Sequence, residues 1–379
     1  MTDPGATPLG IDEILWSWGP GESRFALLTR GRLTELVIDR PTLHLGSRFL
    51  GRVVALDRGL NAAFVEIGTG DRPGFLPGAA ALGLSEGAAV AVAVRAEARA
   101  GKGPLLSPLA GDLAVPGATK APALISRPAT LKRLLAAHPA IRRVRVDDPA
   151  ALAEAKALAP ALAEHHRDGP LFGLYRVEEE IESALAAEVP LAGGGRMTIE
   201  STAALTAIDI DSGGGRADEA NRKAVAAIAR HLRLRGIGGQ VVIDFVSVRR
   251  DAPHRLADAL KEAVAADPVP TQIFGVSRLG LVELTRERRG LALAELLCDR
   301  PTLPTPETAA LAALRLALAE AACRPGRPLR LVVAPEVATA LARRSDALAE
   351  AEARLCRPLP VRADPGRARE DSSIEEIPG

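Results

Sequence analysis

Between Leu205 and Gly215 the chain reads LTAIDIDSGGG, an apolar, strand-forming run that carries two carboxylates. Strand side chains alternate, so Asp209 and Asp211 share one face while Ile208 and Ile210 take the other. A helical stretch, ADEANRKAVAAIARHLRLR, follows, then GIGG and a second strand, QVVIDFVSV, with Asp244 inside it. In such a β-α-β unit the two strands are parallel, often adjacent, and joined by a right-handed connection. Near-register pairing then brings Asp209 and Asp244 together on one face at the strand ends. Carboxylates placed this way repel unless one is protonated or a cation lies between them. Two or three hard oxygen ligands with room for water describe a Mg²⁺ site. Such a metal can polarise a phosphoryl oxygen and lower the pKa of a bound water. Two blander readings stay open beside this one. Asp209 and Asp211 can cap the following helix or offset its dipole, or the DSGGG turn can cradle a phosphate with its amides.

The elements around the acids follow from periodicity. Val225, Ile228 and Leu232 fall on one face of the helix between the two strands, which places that face on the sheet. Upstream, residues 24–38 read as two strands around a TRGR turn. From Leu43 to about Pro108, FLGRVVAL, NAAFVEIG, RPGFLP and AAVAVAVRAEA are short strands separated by turn residues, the density expected of a small closed barrel. In NAAFVEIG the inward set is Ala63, Val65 and Ile67, leaving Phe64 outside beside Glu66. Phe64, with Phe75 in GFLP, is a candidate stacking platform for nucleobases, and Lys102 between glycines a candidate phosphate contact; packing within the barrel or docking another domain is the alternative for both rings. Residues 109–124 read as a Gly/Pro-punctuated linker. Beyond it come a helix near PATLKRLLAAH, a strand AIRRVRV, and a helix opening at Asp148-Pro149. After Leu291 the order is helix, strand, one long helix from Glu336, and a short strand, with a peripheral or disordered last dozen residues.

Composition sets outer bounds. A chain of 379 residues, 47% hydrophobic and 25% charged, is expected to form two or three globular domains. Its formal net charge of +1 means that any surface for an anionic polymer must be local. Cys298, Cys323 and Cys356 lie far apart with no CxxC pair, and no apolar run is long enough for a membrane span. A reduced, cytoplasmic protein is the expectation.

Taken in order, GRVVALDRGLNAAFVEIG…GFLP, ESALAAEVPLAGGGRMTIESTAALTAIDIDSG, NRKAVAAIARHLRLRGIGGQVVIDFV and VSRLGLVELTRERRG resemble the bacterial ribonuclease E/G family of endoribonucleases over roughly residues 10–290. The resemblance implies an α+β multidomain fold. A ribonuclease-H-like subdomain (1–38 and 125–190) would carry an inserted OB-fold RNA-binding barrel (39–108). A deoxyribonuclease-I-like α/β catalytic subdomain (191–290) and a small C-terminal α/β domain with a tail (291–379) would follow.

The same resemblance implies that Asp209 and Asp244 bind a catalytic Mg²⁺. It implies that Asp211, where the family usually has Asn, stands beside the metal-bound groups, and that Phe64, Phe75, Lys102, Arg278 and Arg286 contact single-stranded RNA. Glu283 would orient the two arginines. Ser247 stands where the family often has a second Asp. Products would end in 5′ phosphate and 3′ hydroxyl. The 109–124 linker occupies the interval of the family's sensor for an RNA 5′ monophosphate, so RNAs with different 5′ ends are expected to be cleaved alike. The family's Cys-Pro-x-Cys zinc link here reads CDRP, so any homodimer would rest on packing and not on zinc. A non-catalytic RNA-binding protein with a decayed site is the rival reading. A phosphate-loop nucleotide enzyme is weaker, since no GK[ST] follows the glycines.

Overall fold

The computed structural model describes residues 10–70, 72–99, 101–109, 120–246, 252–300 and 302–377. It divides into two units, one of Met1–Arg40, His138–Glu287 and Ala292–Gly379, the other of Pro41–Ala137 with Arg288–Leu291.

The first unit opens with an antiparallel meander of β1 (Glu13–Gly19), β2 (Glu22–Thr29) and β3 (Arg32–Asp39). The turn joining β2 to β3 holds Arg30 and Gly31 at φ 50° and 76°. Paired positive φ values are what a two-residue hairpin turn of the right twist demands.

The second unit supplies β4 (Arg48–Asp57), β5 (Ala62–Glu66), β6 (Gly74–Pro77), β7 (Ala89–Ala96), β8 (Leu105–Pro108), β9 (Ala123–Ser126) and helix α1 (Thr130–Ala137). The order β5-β6-β8-β7-β4 closes through a further β4–β5 pairing, which makes a five-stranded barrel. Phe49, Val53, Ala63, Val65, Leu76, Val92, Val94 and Leu106 fill it. Strand β9 pairs with the start of β4 at Arg48–Leu50. The end of the stretch expected to be linker is therefore strand, while residues 110–119 lie outside the described residues.

Back in the first unit, β10 (Arg143–Val146), helix α2 (Pro149–Leu158) and β11 (Ala163–His165) extend the meander to the order β11-β10-β1-β2-β3. Asp148 caps α2 as its position before Pro149 predicts, accepting from the amides of Ala150 (2.8 Å) and Ala151 (2.9 Å). Helices α3 (Leu171–Leu174) and α4 (Val177–Leu185) bring Leu171, Phe172, Val177 and Ile181 into a core with Leu15, Ala26 and Leu28.

A second sheet follows from β12 (Glu188–Pro190), β13 (Arg196–Ser201), β14 (Leu205–Asp211), helix α5 (Ala217–Leu234), β15 (Gly239–Asp244), helix α6 (Ala252–Val264), β16 (Thr271–Val276) and β17 (Val282–Arg286). Its order is β12-β13-β14-β15-β17-β16, with β14 and β15 parallel and the other neighbours antiparallel. Ile208, Ile210, Val241, Ile243, Val282 and Leu284 on one face pack with Val225, Ile228, Leu232 and Leu260 of α5 and α6. Burying each such side chain stabilises the unit by roughly 1.5–3 kcal/mol. That apolar seal on one face is what lets the other face carry acids.

Helix α7 (Leu293–Leu297) and a short hairpin of β18 (Cys298–Arg300) and β19 (Leu303–Pro304) lead to α8 (Pro306–Cys323), β20 (Leu329–Val333), α9 (Pro335–Arg343), α10 (Ser345–Leu355), β21 (Val361–Ala363) and β22 (Ser373–Glu376). Two expectations are corrected here. The long helix expected from Glu336 breaks at Arg344, and the tail expected to be peripheral contains β22, which pairs antiparallel with β20 and packs Ile374 on the local core. Glu22 of β2 links this lobe to the first sheet, with Arg40 at 2.8 Å, Arg315 of α8 at 2.7 Å and Arg24 at 3.8 Å. Burial alone would raise its pKa; the three guanidiniums outweigh burial and hold it below the usual carboxylate range. Among the described residues no helix is long and apolar enough to cross a membrane.

Candidate active site

The parallel pairing of β14 with β15 sets Asp209 directly opposite Asp244. Adjacent strands lie about 4.8 Å apart, so the two carboxylates are neighbours. Both are exposed, on the face turned away from Ile208 and Ile243. Neither makes a hydrogen bond or ion pair with any described residue. The same cross-strand row continues through Thr198 on β13 to Glu188 on β12, and the next row holds Glu200, Ala207, Val242 and Glu283. An anionic face results, with its two closest charges lacking a counter-charge among the described residues.

Asp211 shares the face but not the situation. Its carboxylate pairs with Arg196 at 3.1 Å and accepts from the Gly213 amide at 2.8 Å. Arg196 is also its direct partner across β13–β14. The Asp211 charge is thus offset locally, and the turn after β14 is tied down in the same stroke. Gly195 completes that turn: at φ 84°, a Cβ there would meet the Asp211 carbonyl oxygen at 2.5 Å. The DSGGG loop is packed against this glycine hairpin.

One positioning residue escaped the sequence reading. Asn221 of α5 is buried, donating to the Val246 carbonyl (2.8 Å) and accepting from the Val246 amide (3.0 Å). It clamps the chain two residues past Asp244 to the helix that follows Asp209. An asparagine on the inner side of an amphipathic helix was the available signal, since a buried amide must find partners. Ser247 lies outside the described residues.

The two arginines expected on the RNA path separate. Arg278 is exposed in the Ser277–Gly280 turn between β16 and β17, without an ion pair among the described residues. Arg286 is only 5% exposed, on the helix-covered face, where it donates to the Ile237 carbonyl (2.7 Å) and pairs with Asp267 (3.0 Å). An RNA contact does not fit that position; the strand's alternation turns Arg286 inward with Val282 and Leu284. Glu283, between them in sequence, faces the acidic side and bonds neither arginine.

In the barrel, Ala63, Val65 and Ile67 are buried and Phe64 is half-exposed, as the alternation predicts. Phe64 lies directly opposite Phe75 across β5–β6, the rings edge to face with centroids 5.9 Å apart. Phe75 in turn pairs with Leu105, so β8 flanks the rings. Lys102 is exposed in the turn closed by mutual hydrogen bonds between Arg99 and Lys102. The next residue must be glycine, because a Cβ on Gly103 would fall 2.0 Å from the Pro73 carbonyl oxygen.

The donor set discriminates among metals. Among the described residues no group of three or more His, Cys, Asp or Glu side chains is gathered for an ion. A closed zinc site is therefore a poor fit. Mg²⁺ is a good one, since it takes one or two carboxylates and leaves its other positions to water and substrate phosphate.

Fold and site together define an α+β protein with an acidic pair, unpartnered among the described residues, on the solvent-facing side of a sheet. Residues 115–289 match the model of the Ribonuclease E/G family. Over 213 residues it is 36% identical to Ribonuclease G of Salmonella typhimurium (strain SL1344), covering 52% of this chain and 44% of the relative. It is 44% identical over 135 residues to Ribonuclease E of Escherichia coli (strain K12), covering 33% of this chain and 13% of the relative. A Ribonuclease E/G-like chloroplastic protein of Arabidopsis thaliana is 40% identical over 135 residues, 33% of this chain and 14% of that protein. The chain spans less than half the length of these relatives.

Proposed function

We propose that this chain is a Mg²⁺-dependent endoribonuclease that hydrolyses single-stranded RNA, acting in RNA processing or decay. The observation that carries the reading is the in-register, solvent-facing pair Asp209–Asp244, unpartnered among the described residues and inside the segment that matches the family. Asp209 and Asp244 would hold the ion. When bound, Mg²⁺ supplies Lewis acidity toward a phosphoryl oxygen and a lower pKa for water.

The chain's own side chains do the rest. Asp211, neutralised by Arg196, keeps the β14 turn fixed without competing for the ion, and Asn221 fixes the exit of β15. Arg278, without an ion pair among the described residues, offers its guanidinium to a backbone phosphate. Phe64 and Phe75 present stacked-edge rings to bases, with Lys102 as their phosphate contact. The sheet order β11-β10-β1-β2-β3 supports a ribonuclease-H-like reading of the first sheet, and the closed five-stranded barrel supports an OB-fold reading of the second unit. On this reading cleavage is indifferent to the RNA 5′ end, and a homodimer would rest on packing and not on zinc.

The test is cleavage of end-labelled single-stranded RNA by purified protein in Mg²⁺ and in EDTA. Cutting that requires Mg²⁺ is the expected result. Tight RNA binding with no cutting at any divalent ion concentration would make the chain an RNA-binding protein instead.

A further inference from the structure

Phe274 is a large apolar side chain left in water, 62% exposed on the edge strand β16. Its neighbours are not: Ile273 and Val276 pack against the core beneath the sheet. Strand alternation explains Phe274 against Ile273, and the register explains Val276. Ile273 lies opposite Leu284, yet Gly275 lies opposite Glu283, so β16 holds one residue too many between adjacent partners. That is a β-bulge, in which two residues oppose one and a side chain is re-aimed. Gly275 accommodates it at φ 109°, a conformation that other residues rarely adopt. Alternation from the inward Ile273 turns Phe274 to the face of Glu283, which pairs with Val242, two residues before Asp244, and the bulge returns Val276 to the inner face opposite Val282. From β15 to β16 is two strand spacings, about 10 Å.

The ring thus sits on the same face as the acidic pair, where no described side chain covers it. The turn that follows β16 ends this edge with Arg278, cationic and free of ion pairs among the described residues. A flat apolar surface between a candidate cation site and a free guanidinium matches one ligand chemistry, a nucleotide: phosphate at the charges, base on the ring. We propose that Phe274 stacks a base flanking the phosphodiester held at Asp209–Asp244, while Arg278 takes a neighbouring backbone phosphate. The inference rests on the ribonuclease reading above and adds a residue that sets RNA position at the cut.

The experiment uses the full chain with Phe274→Ala, Phe274→Leu and Phe274→Tyr. The substrates are one single-stranded RNA and a series with an abasic residue moved through it. Phe274→Ala should raise KM on the order of tenfold with kcat little changed. Tyr should restore the wild-type value and Leu should not. At one abasic position near the cut, wild type and Phe274→Ala should become equal, because there is no base left to stack. Unchanged KM for Phe274→Ala overturns the proposal, as does a defect that persists at every abasic position. A changed oligomeric state with RNA parameters intact would make the ring a protein contact and overturn it too. If wild type binds RNA without cutting, the ribonuclease reading fails separately. The same abasic comparison read by fluorescence anisotropy then decides whether Phe274 stacks.

Discussion

Arg286 and Asp244 stand on one sheet and are treated in opposite ways. Arg286, on the helix-covered face, spends its guanidinium on Asp267 and the Ile237 carbonyl. Asp244, on the other face, lies beside Asp209 with no partner at all among the described residues. A buried charge without a partner would unfold the sheet, so the covered face pairs its ions and those ions serve stability. The uncovered face can leave like charges together because water screens them, and that unsatisfied pair is free to take a ligand. Burial separates the structural ions from the candidate chemical ones.

Breaking the uncovered pair should have the largest effect, and it should fall on activity. Asp209→Asn or Asp244→Asn each removes an ion ligand and is expected to lower RNA cleavage by orders of magnitude while RNA affinity hardly moves. Thermal unfolding should be unchanged or slightly improved, since the substitution relieves repulsion. Single-turnover cleavage, RNA binding and melting curves on the same preparations check all three.

The covered face should respond in the converse manner. Asp267→Ala leaves Arg286 and Arg233 buried without their carboxylate and should cost roughly 3–5 kcal/mol. Urea unfolding followed by tryptophan fluorescence is a clean probe, because the chain's two tryptophans, Trp16 and Trp18, both lie on β1. A cost below about 1 kcal/mol would erase the distinction between the faces.

Acid sharpens the contrast through two further buried groups. His231 accepts from the Arg235 side chain (3.0 Å), and burial, with Arg235 and Arg230 nearby, pushes its pKa down to about 3. The unfolded chain takes up that proton near 6.5, so stability should decline as pH falls from 6.5 toward 3. Glu22 acts lower: its contribution is complete above its unfolded value of 4.5 and is lost as pH falls through its depressed folded pKa. His231→Gln should flatten the first part of the curve and Glu22→Gln the second, in urea midpoints taken across pH.

The barrel should show the smallest effects. Phe64→Ala and Phe75→Ala are each expected to weaken single-stranded RNA binding by roughly 1–3 kcal/mol. Because the rings touch, the double substitution should lose less than the sum, a coupling that separate stacking sites would lack. Lys102→Ala should lower the salt dependence of binding by about one phosphate contact. Additive losses, or none, would return the rings to a packing role.

The β-α-β unit was legible because its cues are local: alternation set Asp209 and Asp211 on one face, and helical period set Val225, Ile228 and Leu232 inward. Phe64 and the Asp148 cap were legible for the same reason. What escaped depends on partners distant in the chain. Arg286 reads as a surface arginine until Asp267 is seen beneath it, and Asp211 as a free acid until Arg196 pairs with it across β13. The β22 strand has little hydrophobic pattern of its own and forms on the edge of β20. Phe274 faces outward by plain alternation from Ile273, whereas no local pattern announces the bulge that brings Val276 back inward.

The central claim is that Asp209 and Asp244 together hold one divalent cation. Titrating Mn²⁺ into the full chain and counting free ion by electron paramagnetic resonance, with Mg²⁺ as competitor, tests it without reference to turnover. Wild type should take up one ion that Mg²⁺ displaces, and Asp209→Asn and Asp244→Asn should each lose it, whereas Asp211→Asn should retain it. Equal uptake by the wild type and the Asp209→Asn/Asp244→Asn double variant would contradict the account.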